Sequence, residues 1–299
     1  MKRCLAVVWV LASGCVSAEA VVQPDRPSMA AHVIAKRPPV RASDALNAVL
    51  LALKQNDFAA LQVALAEDKD LSEIAAEWDE RADRARQARQ ASAEAASDAP
   101  TLESVEVGRQ DTWNKLQSDA GVDALVAEWQ PELAETASKR VMEFNLGFGA
   151  LLTDIASDRK LSADQVQQFT RLMYAVQNWA GRVDFADEAR LRQAVTAVAQ
   201  LARGTRLKRF DEVEGLRFED AVVHGDELIR TVKRVLAAYD IDADAILNSV
   251  HIEEHDAVGD RATRRVQGEV FGVELIHEQP MRYFQDRWMD ADLAADLER

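Results

Sequence analysis

Apolar residues recur along most of this chain at the 3.6-residue period of an amphipathic helix, and the period falls to two only near residue 248. The first helical pattern opens at Ser43, placed as an N-cap, with Leu46, Val49, Leu50 and Leu53 on one face. Asn56-Asp57 ends that helix and caps the next, which offers Phe58, Leu61 and Leu65 to the same core. Asp70 and Glu73 have the spacing of a capping box and introduce a third stripe of Leu71, Ile74, Ala75 and Trp78. Beyond Trp78 the stripe dissolves among Arg81, Arg84, Arg86 and Arg89, so 82–100 reads as an exposed helix end followed by a linker.

The pattern then resumes over 110–119 with Trp113 and Leu116, and over 122–130 with Val122, Leu125, Val126 and Trp129. Pro131 suits the first turn of a new helix carrying Leu133, Val141, Phe144, Phe148, Leu151, Leu152 and Ile155, with Gly147 inside it. Ser162 and Gln165 form a second capping box before Val166, Phe169, Leu172, Met173, Val176 and Trp179. A helix over 185–203 turns Leu191, Val195, Val198 and Leu201 inward and stops at Gly204, in the C′ position. The block 216–239 is helical with a break at His224-Gly225-Asp226, and 243–247 is a short last helix.

From Val250 the residues alternate, with turns at Val258-Gly259-Asp260 and Phe271-Gly272, Pro280 at a strand junction, and Tyr283, Phe284 and Trp288 late in the run. That gives three or four short strands and a closing helix over 290–299. The fold class is therefore mainly α (α+β): an antiparallel helical body with a small C-terminal antiparallel β-sheet.

The N-terminus changes the picture from fold to address. Met1-Lys2-Arg3, an apolar run over 4–12 and the small residues after it have the build of an export signal. The run is far short of the roughly 20 apolar residues that span a bilayer. Two processing patterns compete: small-x-small sites favour cleavage after Ala18 or Ala20, whereas Ala12-Ser13-Gly14-Cys15 resembles a lipobox and would place a lipid on Cys15. Leu11 lies four residues before that cysteine, one further than the lipobox pattern has it.

Pro24, Pro27, Pro38 and Pro39 make 21–42 a proline-rich tether. The chain thus divides into a signal (1–20), the tether (21–42), N-terminal helices and linker (43–100), a helical body (101–247) and a small sheet with a terminal helix (248–299). The expected location is the periplasm of a Gram-negative bacterium, or its outer membrane if Cys15 is lipidated. Cys4 and Cys15 are the two cysteines, so a chain beginning at Glu19 has neither a disulfide nor a thiol.

Charge narrows the partners. The chain has 36 basic and 51 acidic residues, a net charge of −15, and loss of Lys2 and Arg3 with the signal takes this to −17. Such a polyanion repels phosphates and anionic headgroups, which argues against nucleic acid and leaves a lipid on Cys15 as the means of membrane contact.

His251-Ile252-Glu253-Glu254-His255 matches the His-x-x-Glu-His pattern of the inverzincin peptidases. On a helix, His251 and His255 would share one zinc with Glu254 as general base, making a metal-dependent hydrolase. The flanking alternation points instead to a strand, where the imidazoles stand about 13 Å apart, so the motif reads as an exposed polar strand face with no metal. His224 with Asp226 and Glu227 reads as a turn, His277, Glu278 and Glu274 as a sheet edge, and His32 falls in the tether. Trp78, Trp113, Trp129, Trp179 and Trp288 suit core packing, or alternatively a cavity for an apolar ligand. There is no Gly-x-Ser-x-Gly elbow, phosphate loop, dinucleotide fingerprint or Cys-x-x-Cys pair, and no cofactor is expected.

Tyr239-Asp-Ile-Asp, Leu247-Asn-Ser-Val, Gly259-Asp-Arg-Ala, Val270-Phe-Gly and Asp286-Arg-Trp, spread over 238–288, resemble the ends of uncharacterised proteobacterial periplasmic proteins and lipoproteins. Those pair a helical body with a C-terminal fragment of an NTF2-like sheet. The resemblance implies a fold and a compartment and transfers no functional residue. The expectation for function is a non-catalytic envelope binding or assembly protein with an unknown envelope partner. The alternatives are the hydrolase on His251, Glu254 and His255 and a carrier of an apolar small ligand in the helical body.

Overall fold

The computed structural model describes residues 41–66, 69–95, 100–157, 162–284 and 287–297. The signal, Cys15, His32 and the tether up to residue 40 lie outside them. The described residues are mostly helical, with a four-stranded antiparallel sheet at the C-terminal end.

Helices α1 (Asp44–Gln55) and α2 (Phe58–Leu65) meet where Asn56 takes φ 56° and Asp57 accepts the Ala60 N–H at 2.8 Å. Asparagine tolerates the left-handed conformation, and Asp57 satisfies a donor that the helix start would otherwise leave open. Ser43 is buried and makes no side-chain cap, contrary to the sequence expectation. Leu46, Val49, Leu50 and Leu53 are half-buried. Helix α3 (Leu71–Ala95) opens on the expected capping box, Asp70 and Glu73 exchanging backbone-to-carboxylate bonds of 3.0 Å.

Over 82–100 the expected helix end is present, with Arg84, Gln87 and Ala88 exposed. Ala82 is buried, α3 runs on to Ala95, and helix α4 (Pro100–Leu116) starts well before residue 110. Arg86 supplies the tie that the apolar stripe lacks, since its Nη1 donates to the Gly215 carbonyl at 2.7 Å. Gly215 closes a 3₁₀ turn, Phe210–Gly215, packed against α3. Leu65 and Leu71, expected inside, are exposed.

The main core joins α4 to helix α5 (Asp119–Ser157) and helix α7 (Glu188–Thr205) through Trp113, Leu116, Leu125, Val126, Trp129, Leu191 and Val195. Pro131 does not begin a new helix but lies inside α5. An internal proline costs about 3 kcal/mol. Trp129 before it and Leu133 after it are buried in the same core, and that packing carries the helix through. The side chains of Val141, Phe144, Gly147, Phe148, Leu151, Leu152 and Ile155 lie outside the described residues. Gly204 is likewise inside α7, and Arg206 takes the left-handed position at φ 56°. Arg203 holds that last turn, donating to Leu116 O at 3.0 Å and to Asp119 at 2.7 Å.

Helix α6 (Ala163–Arg182) carries the Ser162/Gln165 capping box and a half-buried apolar face that packs along the sheet. Helix α8 (Phe218–Ala238) is unbroken, so the interruption expected at His224-Gly225-Asp226 is absent. Gly225 is there for closeness: a Cβ on it would stand 2.2 Å from Phe58 Cγ. Asp226 beside it accepts the Phe58 N–H at 2.8 Å, and Asp79 of α3 accepts the Phe218 N–H at 2.8 Å. The first residues of α2 and α8 are thus each held by a carboxylate from a neighbouring helix.

After helix α9 (Ala243–Ser249) come β1 (His251–Val258), β2 (Arg261–Val270), β3 (Val273–Phe284) and β4 (Arg287–Asp290), paired in chain order, then helix α10 (Ala291–Leu297). Pro280 is inside β3, opposite Thr263, and not at a junction. Tyr283 donates to Asp260 O on the β2 side, which turns the even-numbered β3 N–H positions away from β2. Ile276 uses its outward N–H on Gln168 of α6 at 2.7 Å, and at Pro280 the missing N–H falls on that same side, where no ladder bond is lost.

Candidate functional site

The three residues of the zinc-like motif lie on β1, and the strand does not bring them together. His251 Nδ1 is 2.7 Å from Ser249 O, and His255 Nε2 is 3.3 Å from Glu253. The imidazoles share one strand face about 13 Å apart, past the reach of a single ion with ligands at about 2 Å. Glu254 points to the opposite face, where it accepts the Ala42 N–H at 2.6 Å. Among the described residues no group of three or more His, Cys, Asp or Glu is placed to hold a metal. Glu227 pairs with Arg230 and Arg234, Glu274 accepts from Gln267, and Glu278 faces Arg265 at 3.9 Å.

Glu254 belongs instead to a polar row crossing all four strands. Register sets Glu254 opposite Arg264 and Arg264 opposite Gln279. Arg264 Nη2 donates to Gln279, Gln279 donates to Asp290 at 2.9 Å, and Asp290 caps α10 through the Leu293 N–H. Burial draws the Arg264 guanidinium below its ordinary range, with Asp290 opposing the shift. Ala42 seals one end of this face, buried against Ala262 and Met281 with Trp288 packed beside them. The last residue assigned to the tether is therefore docked on the sheet.

The tryptophans act as ties. Trp78 donates to Leu216 O at 3.0 Å, Trp113 to Leu207 O at 3.2 Å and Trp179 to Tyr239 O at 2.7 Å, each pinning a loop carbonyl to a helix. Trp113 and Trp129 are buried in the main core. Trp179 differs from these, because its ring also borders an open cavity.

That cavity, about 750 Å3, lies where the helical body meets the sheet and is lined by Ala175, Asn178, Trp179, Arg182, Asp240 and Phe271, with Val183 at its end. Helical spacing puts 175, 178, 179 and 182 on one stripe of α6. Phe271 reaches them from the β2–β3 turn, its ring centroid 5.4 Å from that of Trp179. Behind them Phe185 meets Trp179 edge-on at 5.6 Å and stacks on Tyr239 at 5.7 Å. The rim carries opposite charges. Arg190 pairs with Asp240 at 2.8 Å and holds that carboxyl below its ordinary range, Arg182 adding to the effect.

The wall is built at a conformational cost. Phe271 has φ 53° and Gly272 φ 75°, so this two-residue turn needs positive φ at both positions, where Asn, Asp and Gly are the usual occupants. Sequence patterning marks Phe271-Gly272 as a turn and Trp179 as core, and misses that they face each other. The available signal is an aromatic residue at a turn position that disfavours it.

A second cavity of about 450 Å3 lies between Asn56, α8 and the start of α9. Its Lys233 pairs with Asp244 at 2.7 Å and donates to Leu53 O at 2.8 Å, and Glu227 takes both Arg230 and Arg234. These charges are matched internally and join α1, α8 and α9. No helix among the described residues is long and apolar enough to cross a membrane. The chain matches no protein-family model, no curated protein and no solved structure.

Proposed function

We propose that this is a non-catalytic binding protein of the bacterial cell envelope, exported by residues 1–20 and, where Cys15 is retained and lipidated, tethered to the membrane. Its binding site is the groove between α6 and the β2–β3 turn. One observation carries the reading: Phe271 is held in a left-handed conformation that costs a non-glycine residue of order 1–3 kcal/mol, and its ring forms the wall of an open cavity. Strain of this kind collects where a surface is shaped for a ligand. The signal pattern, and the resemblance of 238–288 to proteobacterial envelope proteins, support the compartment.

Hydrogen exchange on the full chain, with and without a detergent-solubilised envelope extract, tests the reading. Protection is expected in 175–183 and 268–274, with the core around Leu125 unchanged. Exchange in those two segments that is indifferent to the extract would sink it.

A further inference from the structure

Resting on the reading of the joint groove as the binding site, we infer that its ligand is a small aromatic monocarboxylate. The flat ring lies against Trp179 and Phe271, and the single carboxylate meets Arg182.

Size and wall chemistry set the first half. An open cavity of about 750 Å3 has room for a small organic molecule. The Trp179 indole N–H is already bonded to Tyr239 O, so the ring offers the groove hydrocarbon only. Phe271 adds a second ring inclined at 40° to the first. Aromatic rings prefer offset or edge contacts of this type, each worth about 0.5–1.5 kcal/mol beyond area burial. Keeping Phe271 in its turn, where asparagine would sit without strain, makes sense if that ring is a contact surface.

Charge sets the second half. Arg182 lies one turn along α6 from Asn178 on the groove stripe, and its Nε donates to the Asn178 carbonyl at 3.3 Å. Among the described residues it makes no ion pair, while the lining carboxylate, Asp240, is already engaged by Arg190 at 2.8 Å. The remaining N–H donors of Arg182 form the planar fork that matches a carboxylate. The surroundings limit the anion to one charge. Asp184, Asp187 and Asp240 all act on Arg190 close by, and the chain as a whole is at −15. Each further charge on the anion adds to that repulsion, and Arg182, which also acts on Asp240, is the one cationic side chain in the lining to set against it.

Titration of tryptophan emission and calorimetry on the full chain test this with three probes: 2-naphthoate, its uncharged amide, and naphthalene-2,6-dicarboxylate. 2-Naphthoate is expected to saturate a single site, at least tenfold tighter than the amide or the dianion. Arg182→Gln should bring 2-naphthoate to the affinity of the amide. Phe271→Asn, which suits the turn and keeps the fold, should weaken all binding at least tenfold without lowering the melting temperature. Equal affinity for acid and amide would overturn the carboxylate assignment, and binding indifferent to Phe271→Asn would overturn its location. If no probe saturates, the ligand class is wrong, while the binding reading itself is decided separately by exchange protection in 175–183 and 268–274.

Discussion

Replacing Gly225 with alanine should destabilise the protein by about 2 kcal/mol, although alanine is the better helix former by about 1 kcal/mol. The new Cβ would stand 2.2 Å from Phe58 Cγ and 2.6 Å from both Cδ atoms, well inside any real contact. The ring has nowhere to go. Phe58 is only 3% exposed, Trp78 meets it edge-on at 6.0 Å, and its own N–H is held by Asp226 on the same helix as the glycine. Relief must come from moving α2 off α8, which also breaks the Asp226 bond. Chemical denaturation reads the loss as a lowered midpoint at constant slope. Combining Gly225→Ala with Phe58→Ala should cost less than the sum of the two, because the second change removes the clash the first creates. A gain in stability for Gly225→Ala would mean that Phe58 does not pack there.

A larger loss, about 3–5 kcal/mol, is expected for Trp113→Ala. Trp113 is 4% exposed at the centre of the α4, α5 and α7 core, and truncation leaves a cavity bounded by large side chains. It also releases two contacts at the edge of the core: the indole bond to Leu207 O at 3.2 Å and the edge-on contact with Phe210 at 5.9 Å. These bind the segment after α7 back onto α4. Trp113→Phe keeps most of the buried area and removes the indole bond, so it should cost about half as much. Thermal unfolding of the two variants separates the packing from the hydrogen bond.

What the sequence made legible, and what it hid, follows from the range of each signal. Local capping chemistry was readable: Asp57, the Asp70/Glu73 box and the Ser162/Gln165 box act within one turn of themselves and stand where expected. The switch to period two located the sheet and its positive-φ turns at Gly259 and at Phe271-Gly272, because each turn is a property of two adjacent residues. Structure and sequence pattern part where a distant contact overrides a local preference. Pro131 stays helical because Trp129 and Leu133 share a core, Gly204 because Arg203 is tied to the α4–α5 joint, and Gly225 because of Phe58.

The candidate site was hidden for the same reason. Trp179, Arg182, Asp240 and Phe271 come from three separate elements. Nothing in the spacing from 179 to 271 says that they meet. The His251/Glu254/His255 motif was conspicuous in sequence for the opposite reason, being contiguous, and the strand that carries it sends Glu254 to one face and both histidines to the other.

The groove arises from assembly: α6 lies along β3, and the strained β2–β3 turn bends Phe271 back over Trp179. Its role as the binding site is tested most directly by placing a photo-activatable benzophenone side chain at Asn178, in the groove wall, and at Val223, exposed on the far run of α8, and irradiating intact cells. A defined adduct from position 178 that is absent from position 223, and that fades when Phe271→Asn is introduced, is the expected result. Adducts of equal yield from both positions, or none from 178 in cells that make the folded protein, would contradict it.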